Sequence, residues 1–365
     1  MRGLVALLQA RVAFGALSDL YGPRFNLSFA WTYDETPDCV SRQPLVTVNG
    51  LWPPPTLHVR AGDEVTLQAT NHLVAVAFTI HIHGFDQVGT PWDDGVGLVA
   101  TCPIVPETSG SVQWFFAPEA PGTYMYHGHV AHAKVAGFTG LLVVEPNPDL
   151  GIDWPATWGP RHDAELDVLL QDGWHAPTLP AMAGLLQKDY RWVGDPQTLL
   201  INGAGHFDCD DNLIYSCEDE SADCDFLGGD RDTCGAGNTI YYNAVAHCDE
   251  SLCPPQARLD AEPGRTYLLR VANGGVSSLV NLAIEDHVMI VVSLDGSGDV
   301  EPVAVDSMDL GVGQRFSARL ARAAGSRPAC ASNADCAGAD VCYEAFANAY
   351  LEDGGACGGA AGGCH

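Results

Sequence analysis

Short runs in which apolar and polar residues alternate, bounded by Gly, Pro, Asn and Asp, make up most of the chain between residues 25 and 320. Alternation with a period of two puts the apolar set on one face of a half-buried strand. LVTVNG, TLHVRAGDEVTLQATN, AVAFTIHIHG, SVQWFF, GTYMYHGH and TGLLVVE predict at least six strands over residues 25–150. Gly62-Asp63 marks a turn between two alternating runs, and Pro53 to Pro55 exclude a central strand there. PNPDLGIDWPATWGP reads as a linker. Beyond it ELDVLLQDG, TLLING, RTYLLRVAN, LVNLAIEDHVMIVVSLDG and GVGQRFSARL predict a second β domain over residues 160–320. Helical periodicity is scarce, so the expectation is an all-β chain of two domains in tandem. Its 365 residues are enough for each to bury a core of its own.

Two stretches break this pattern. Residues 208–253 form an acidic, Cys-rich insertion, with ten Asp or Glu between Asp208 and Asp232, and read as a solvated excursion tied by disulfides. Calcium is the alternative there, since hard cations take several oxygen ligands, but no EF-hand pattern fits. Residues 328–365 are a Cys/Gly/Ala-rich tail with cysteines at 330, 336, 342, 357 and 364. At the front, residues 1–24 read as a signal segment. The apolar run Leu4 to Leu17 is interrupted by Gln9 and Arg11, which makes a poor membrane span. Thirteen cysteines without a Cys-x-x-Cys pair point to an oxidising compartment and a secreted protein, in which Asn26 of Asn-Leu-Ser is a glycosylation candidate. The net charge of -29 excludes nucleic acid and anionic membrane surfaces as partners.

The chemistry is concentrated in two histidine pairs, His81 with His83 in THIHGF and His127 with His129 in MYHGHV. A spacing of two sends both rings of a pair from the same face of a strand, while Ile80 and Ile82 point into the opposite, apolar side. If the two strands are neighbours, four imidazoles face a common point. Imidazole suits copper, zinc, iron and nickel, so the pattern alone names a class of metals.

The first domain resembles the amino-terminal plastocyanin-like domain of multicopper oxidases, closest to the ascorbate oxidase and plant laccase branch. LVTVNGLWPPPTLHVRAGDEVTLQATNHL, HIHGFDQVGTPWDDG, TCPIVPE and GTYMYHGHVAHAKVAGFTGLLVVE carry the resemblance. VLLQDGWH, LLINGAGHFDC, PGRTYLLRVANGG, NLAIEDHVMIVVSLDG and GVGQRF extend it to the family's second domain. The resemblance implies two cupredoxin Greek-key sandwiches and copper as cofactor. It gives His81 to a type-2 copper, His83 and His127 to one type-3 copper, and His129 to the other. Asp94 of WDDG resembles the carboxylate that hydrogen-bonds through water near the type-2 site and delivers protons; a surface-turn aspartate is the alternative. Cys39 and Cys209 resemble the cysteines that tie the first domain to the second, and Cys102 the one that reaches a third domain or its tail. His132 reads as a surface residue or a neighbour of the ligands, and His206 and His287 as structural histidines.

Family members carry a third domain with a His-x-x-His-x-His and a His-Cys-His motif, and this sequence contains neither. The implied function is oxidation of a phenolic, ascorbate-like or metal-ion donor coupled to reduction of dioxygen to water, incomplete in these residues unless a second subunit supplies ligands. The alternative is a non-catalytic copper-binding or structural cupredoxin module.

Overall fold

The computed structural model describes residues 17–322, apart from 34, 42–43, 107–111, 131, 160, 176–187, 189–195, 208–246, 263–264 and 297. Cys209, the rest of the acidic insertion up to residue 246, the tail and residues 1–16 of the leading segment lie outside the described residues.

In chain order the first unit runs β1 (Asp19–Tyr21), β2 (Arg24–Thr32), β3 (Val40–Ser41), β4 (Leu45–Val48), β5 (Thr56–Arg60), β6 (Val65–Asn71), β7 (Ile80–His83), β8 (Val112–Phe116), β9 (Gly122–Gly128) and β10 (Thr139–Glu145). Two sheets, ordered β1-β5-β10-β9-β7 and β4-β2-β6-β8, face each other as a sandwich. Alternation sets the inner faces. Val65, Leu67 and Ala69 of β6 and Phe25, Leu27 and Phe29 of β2 point inward. Phe29 packs on Phe78 and Phe138 with ring centroids 4.5 and 4.7 Å away. The reading of residues 1–24 as a leading segment is corrected at its end, because Asp19–Tyr21 forms a parallel ladder with β5 and is part of the sandwich.

The second unit runs β11 (Ala164–Gly173), β12 (Thr198–Ile201), β13 (His247–Cys248), β14 (Tyr267–Asn273), β15 (Val280–Ala283), β16 (His287–Leu294), β17 (Gly298–Val305), β18 (Ser307–Leu310) and β19 (Arg315–Arg322). A six-stranded sheet, β12-β11-β14-β19-β16-β17, packs with the β15-β18 pair around Leu269, Val271, Met289 and Phe316. The chain is therefore all-β, with two cupredoxin-like sandwiches in tandem.

Strands β9 and β10 are buried on both faces. Their inner face meets the first core, while Met125 and Leu141 on the outer face join Leu169 and Ala272 in a small cluster between the units. Polar contacts accompany it: Thr123 and Ser317 share a hydrogen bond of 2.8 Å, and buried Arg270 donates to Thr123 Oγ1 at 2.9 Å. A covalent tie is added at Cys39, and here the expected partner is corrected. Cys39 is bonded to Cys253, 214 residues away, rather than to Cys209. The reason lies in strand pairing. β13 runs antiparallel to β3 with Cys248 opposite Val40, Asp249 donates its N–H to Cys39 O, and the 3-10 turn Glu250–Leu252 then delivers Cys253.

Candidate metal centre

β7 and β9 are antiparallel neighbours with His81 directly opposite His127 and His83 opposite Met125. The ladder makes two distant sequence pairs into one cluster. Ile80 and Ile82 are buried in the first core, so the histidines must leave from the other face. The His81 ring centroid lies 5.5, 5.2 and 5.3 Å from those of His83, His127 and His129. Ligand atoms of His81, His83 and His127 all lie within 4.8 Å of one another. The edge is less open than an unfinished site would suggest: His127 is buried, His81 and His83 are half-buried, and His129 is exposed.

Hydrogen bonds orient the rings. His127 Nδ1 lies 2.9 Å from Gly128 O and donates to it, which leaves Nε2 with a lone pair. That nitrogen faces His83 Nδ1 at 3.2 Å. Only a proton or a shared ion fits between them, and 3.2 Å is less than two imidazole–metal bonds of about 2.0–2.1 Å laid end to end. His81 Nδ1 donates to the main-chain oxygen of Asp94 at 2.5 Å, freeing Nε2 for a metal. The Asp94 carboxylate stands 3.7 Å from the same Nδ1. It is therefore the Asp94 backbone that aims the ring. The loop reaches it because Gly95, at φ +82°, lies so close to β7 that a Cβ would sit 1.8 Å from Ile80 O. Thr101 Oγ1 closes the loop, accepting from Gly95 N and donating to Trp92 O at 2.8 and 2.7 Å.

Burial pushes the imidazole pKa down at His81 and well down at His127. His83 falls to about 4, through burial first and then the charge of Arg315. All three rings are uncharged at neutral pH, the form in which imidazole binds metals. Arg315 comes from the second unit. It is buried, donates to Gly313 O at 2.7 Å, and crosses to Gly84, where a Cβ would lie 2.4 Å from its Nη2. Gly313, at φ +86°, lies against the His83 ring. Lys134, its own pKa lowered by burial, adds a second positive charge that acts on His81, His83 and His127. GVGQRF and HVAHAK contain these residues, but no local periodicity marks a contact between units.

Sequence models of the multicopper oxidase family match residues 31–149 and 165–325, which takes in both sandwiches and all four histidines. The chain belongs to the multicopper oxidase family. It is 33% identical to an L-ascorbate oxidase of Brassica rapa subsp. pekinensis over 87% of this chain and 48% of that protein. A Cucumis sativus L-ascorbate oxidase is 33% identical over 77% of this chain and 42% of its own length. The chain thus spans about half the length of these curated relatives and roughly two of the family's usual three cupredoxin domains. The Botrytis aclada laccase structure shares the fold, with a TM-score of 0.62 at 24% identity over 86% of this chain and 48% of that one.

The remaining candidates separate by location. His132 is buried and stacks on Trp31 at 5.8 Å, which removes the surface reading. His206 is exposed with Nδ1 3.3 Å from Cys39 Sγ, and His287 Nδ1 donates to Glu285 O at 2.8 Å. Cys102 is an exposed free thiol among the described residues. No helix among them is long and apolar enough to cross a membrane.

Proposed function

We propose that His81, His83, His127 and His129 hold copper as this chain's share of a multinuclear centre, in a secreted copper-dependent oxidoreductase. The observation that carries the reading is the pair of facing ring nitrogens, His83 Nδ1 and His127 Nε2, 3.2 Å apart with uncharged rings beside His81. Bound copper would supply one-electron redox chemistry and a place for dioxygen to be reduced to water. The protein's own part is preparation. The Asp94 carbonyl holds the His81 ring, and its carboxylate, 3.7 Å away, is positioned to orient a water and pass on a proton. Gly313 and Arg315 cover the His83 side and limit water there, while burial and the charges of Arg315 and Lys134 hold the imidazoles in the neutral form. The Cys39–Cys253 disulfide supports an oxidising compartment.

Dioxygen and a small reductant, a phenol, an ascorbate-like compound or a metal ion, are the substrates this reading implies. Electron entry needs a Cys thiolate between histidines, and these 365 residues contain no His-Cys-His run. That observation supports a second reading, a copper-holding module whose turnover requires ligands from further polypeptide or a second subunit. Copper stoichiometry, nitrogen hyperfine structure in the electron paramagnetic resonance spectrum and oxygen uptake with a phenolic donor test both. We expect fewer than four coppers per chain, lost when all four histidines are replaced by alanine, and no sustained uptake by the chain alone. Copper retained by the four-alanine variant would remove the assignment. Full loading with an intense blue band would overturn the module reading.

A further inference from the structure

We propose that the cavity between the two sandwiches carries a second metal site, a His-Asp-Asp set for a divalent ion of the zinc type formed by Asp19, His58 and Asp167. The cavity has a volume of about 550 Å³ and is lined by these residues with Tyr21, Glu145 and Glu165. Asp19 on β1 and His58 on β5 come from the first unit, and Asp167 on β11 from the second. Their ligand atoms lie within 4.8 Å of one another. The site is remote from the copper edge, since in the sheet order β1-β5-β10-β9-β7 two strands separate β5 from β7.

The hydrogen bonding of His58 and Asp167 is incomplete in a way that a cation would complete. His58, its side chain 8% exposed, lies 3.1 Å through Nδ1 from Glu145 Oε1 and donates to it. Without metal Nε2 is protonated and faces Asp19 Oδ1 at 3.4 Å, an ion-pair distance; the atom is fully buried and has no hydrogen-bond partner, and on losing its proton to an incoming cation it would offer the lone pair. That distance is long for an N–H···O bond, whose usual length is about 2.9–3.0 Å. It is short enough for both atoms to reach one ion through bonds of about 2.0–2.2 Å. Asp167 Oδ1 is likewise buried without a partner. Tyr21 stacks on the imidazole with centroids 4.4 Å apart and holds its plane.

Charge and donor type indicate the ion. Asp19, Glu145 and Asp167 present three carboxylates around one imidazole, while Arg270, whose charge acts on Asp167, is already paired with Glu165 at 2.6 and 2.9 Å, and Arg258, which lines the cavity, is paired with Asp260 at 2.6 Å. A Glu145–His58–metal chain is the arrangement by which a carboxylate fixes a ligand histidine and raises its basicity. One nitrogen with two carboxylates suits zinc better than calcium or magnesium, which favour all-oxygen shells. Burial alone would lower the His58 pKa, yet Asp19 and Glu145 bring it up to about 9; a field that stabilises an imidazolium stabilises a divalent cation at the same place.

The test uses the full chain with His81, His83, His127 and His129 replaced by alanine, so that the copper edge does not contribute. Metal-free protein is dialysed against Zn²⁺, and Co²⁺ serves as a visible probe of coordination. The expected result is one Zn²⁺ per chain, low-symmetry Co²⁺ d–d absorption and a rise in melting temperature on loading, because the ion bridges the two units. Asp167→Asn, near-isosteric and relieving a buried charge, should weaken binding at least tenfold, and Glu145→Gln by roughly 10–100-fold. His58→Gln should abolish it; if that variant does not fold, Asp167→Asn decides. No Zn²⁺ above one-tenth per chain, or unchanged affinity in Asp167→Asn, overturns the site.

Discussion

Replacing Arg270 by methionine should be among the most damaging changes available outside the copper edge. The guanidinium is fully buried, donates to both oxygens of Glu165 at 2.6 and 2.9 Å and to Thr123 Oγ1 at 2.9 Å, and lies 5.3 Å from the Trp154 ring centroid. Burial alone would raise the Glu165 pKa, but Arg270 and His162 hold it at about 2 against an ordinary 4.5. At about 1.36 kcal/mol per pKa unit that difference is worth about 3 kcal/mol. Breaking a buried pair by removing one partner costs about 3–5 kcal/mol. Asp167, whose carboxyl burial already lifts to about 6, loses a countercharge as well. Urea denaturation at pH 7, followed by tryptophan fluorescence, should therefore show Arg270→Met destabilised by about 3–5 kcal/mol with an unchanged m-value. Glu165→Gln in the same chain removes the orphaned charge, so the double variant should lose less than the sum of the singles. The sign with pH follows from the depressed folded-state pKa: the Glu165 contribution is complete above pH 4.5 and disappears as pH falls toward 2, and the penalty of Arg270→Met should shrink over that window. A penalty below about 1 kcal/mol at pH 7, the value of an exposed pair, or additivity within about 0.5 kcal/mol, would refute the reasoning.

Gly95→Ala should weaken copper binding at least tenfold and lower the melting temperature, because its Cβ would meet Ile80 O and push the Asp94 carbonyl off His81; calorimetric titration with Cu²⁺ at unchanged affinity would contradict this. Asp94→Asn, by contrast, keeps that carbonyl and should change copper affinity by only a few-fold, whereas a loss of 10–100-fold would show that the carboxylate itself sets the ring. Non-reducing peptide mapping should recover Cys39 joined to Cys253, and recovery with Cys209 would restore the family-based pairing. With a sequence separation of 214 between the two cysteines, Cys39→Ser should cost up to roughly 5 kcal/mol in the chain-entropy treatment, measurable by denaturation of the oxidised protein.

Local pattern determined a good deal. The period-two alternation of VTLQATN and RFNLSFAWT already assigns the inward faces of β6 and β2, and the same period sends His81 and His83 away from Ile80 and Ile82. These are properties of the extended backbone and depend on neighbours along the chain. The partnership of His83 with His127, 44 residues apart, rests on the ladder between their strands, and the motif resemblance supplied that partnership where alternation could not. Other features belong to tertiary structure alone. The closing of Cys39 onto Cys253 depends on β13 returning to β3, the covering of His83 by Gly313 and Arg315 depends on how the two sandwiches dock, and the convergence of His58 and Asp167 depends on both units at once. Alternation specifies which way a side chain leaves its strand and carries no information about what a distant strand brings to meet it, because sheet order and domain packing are chosen by burial of whole faces.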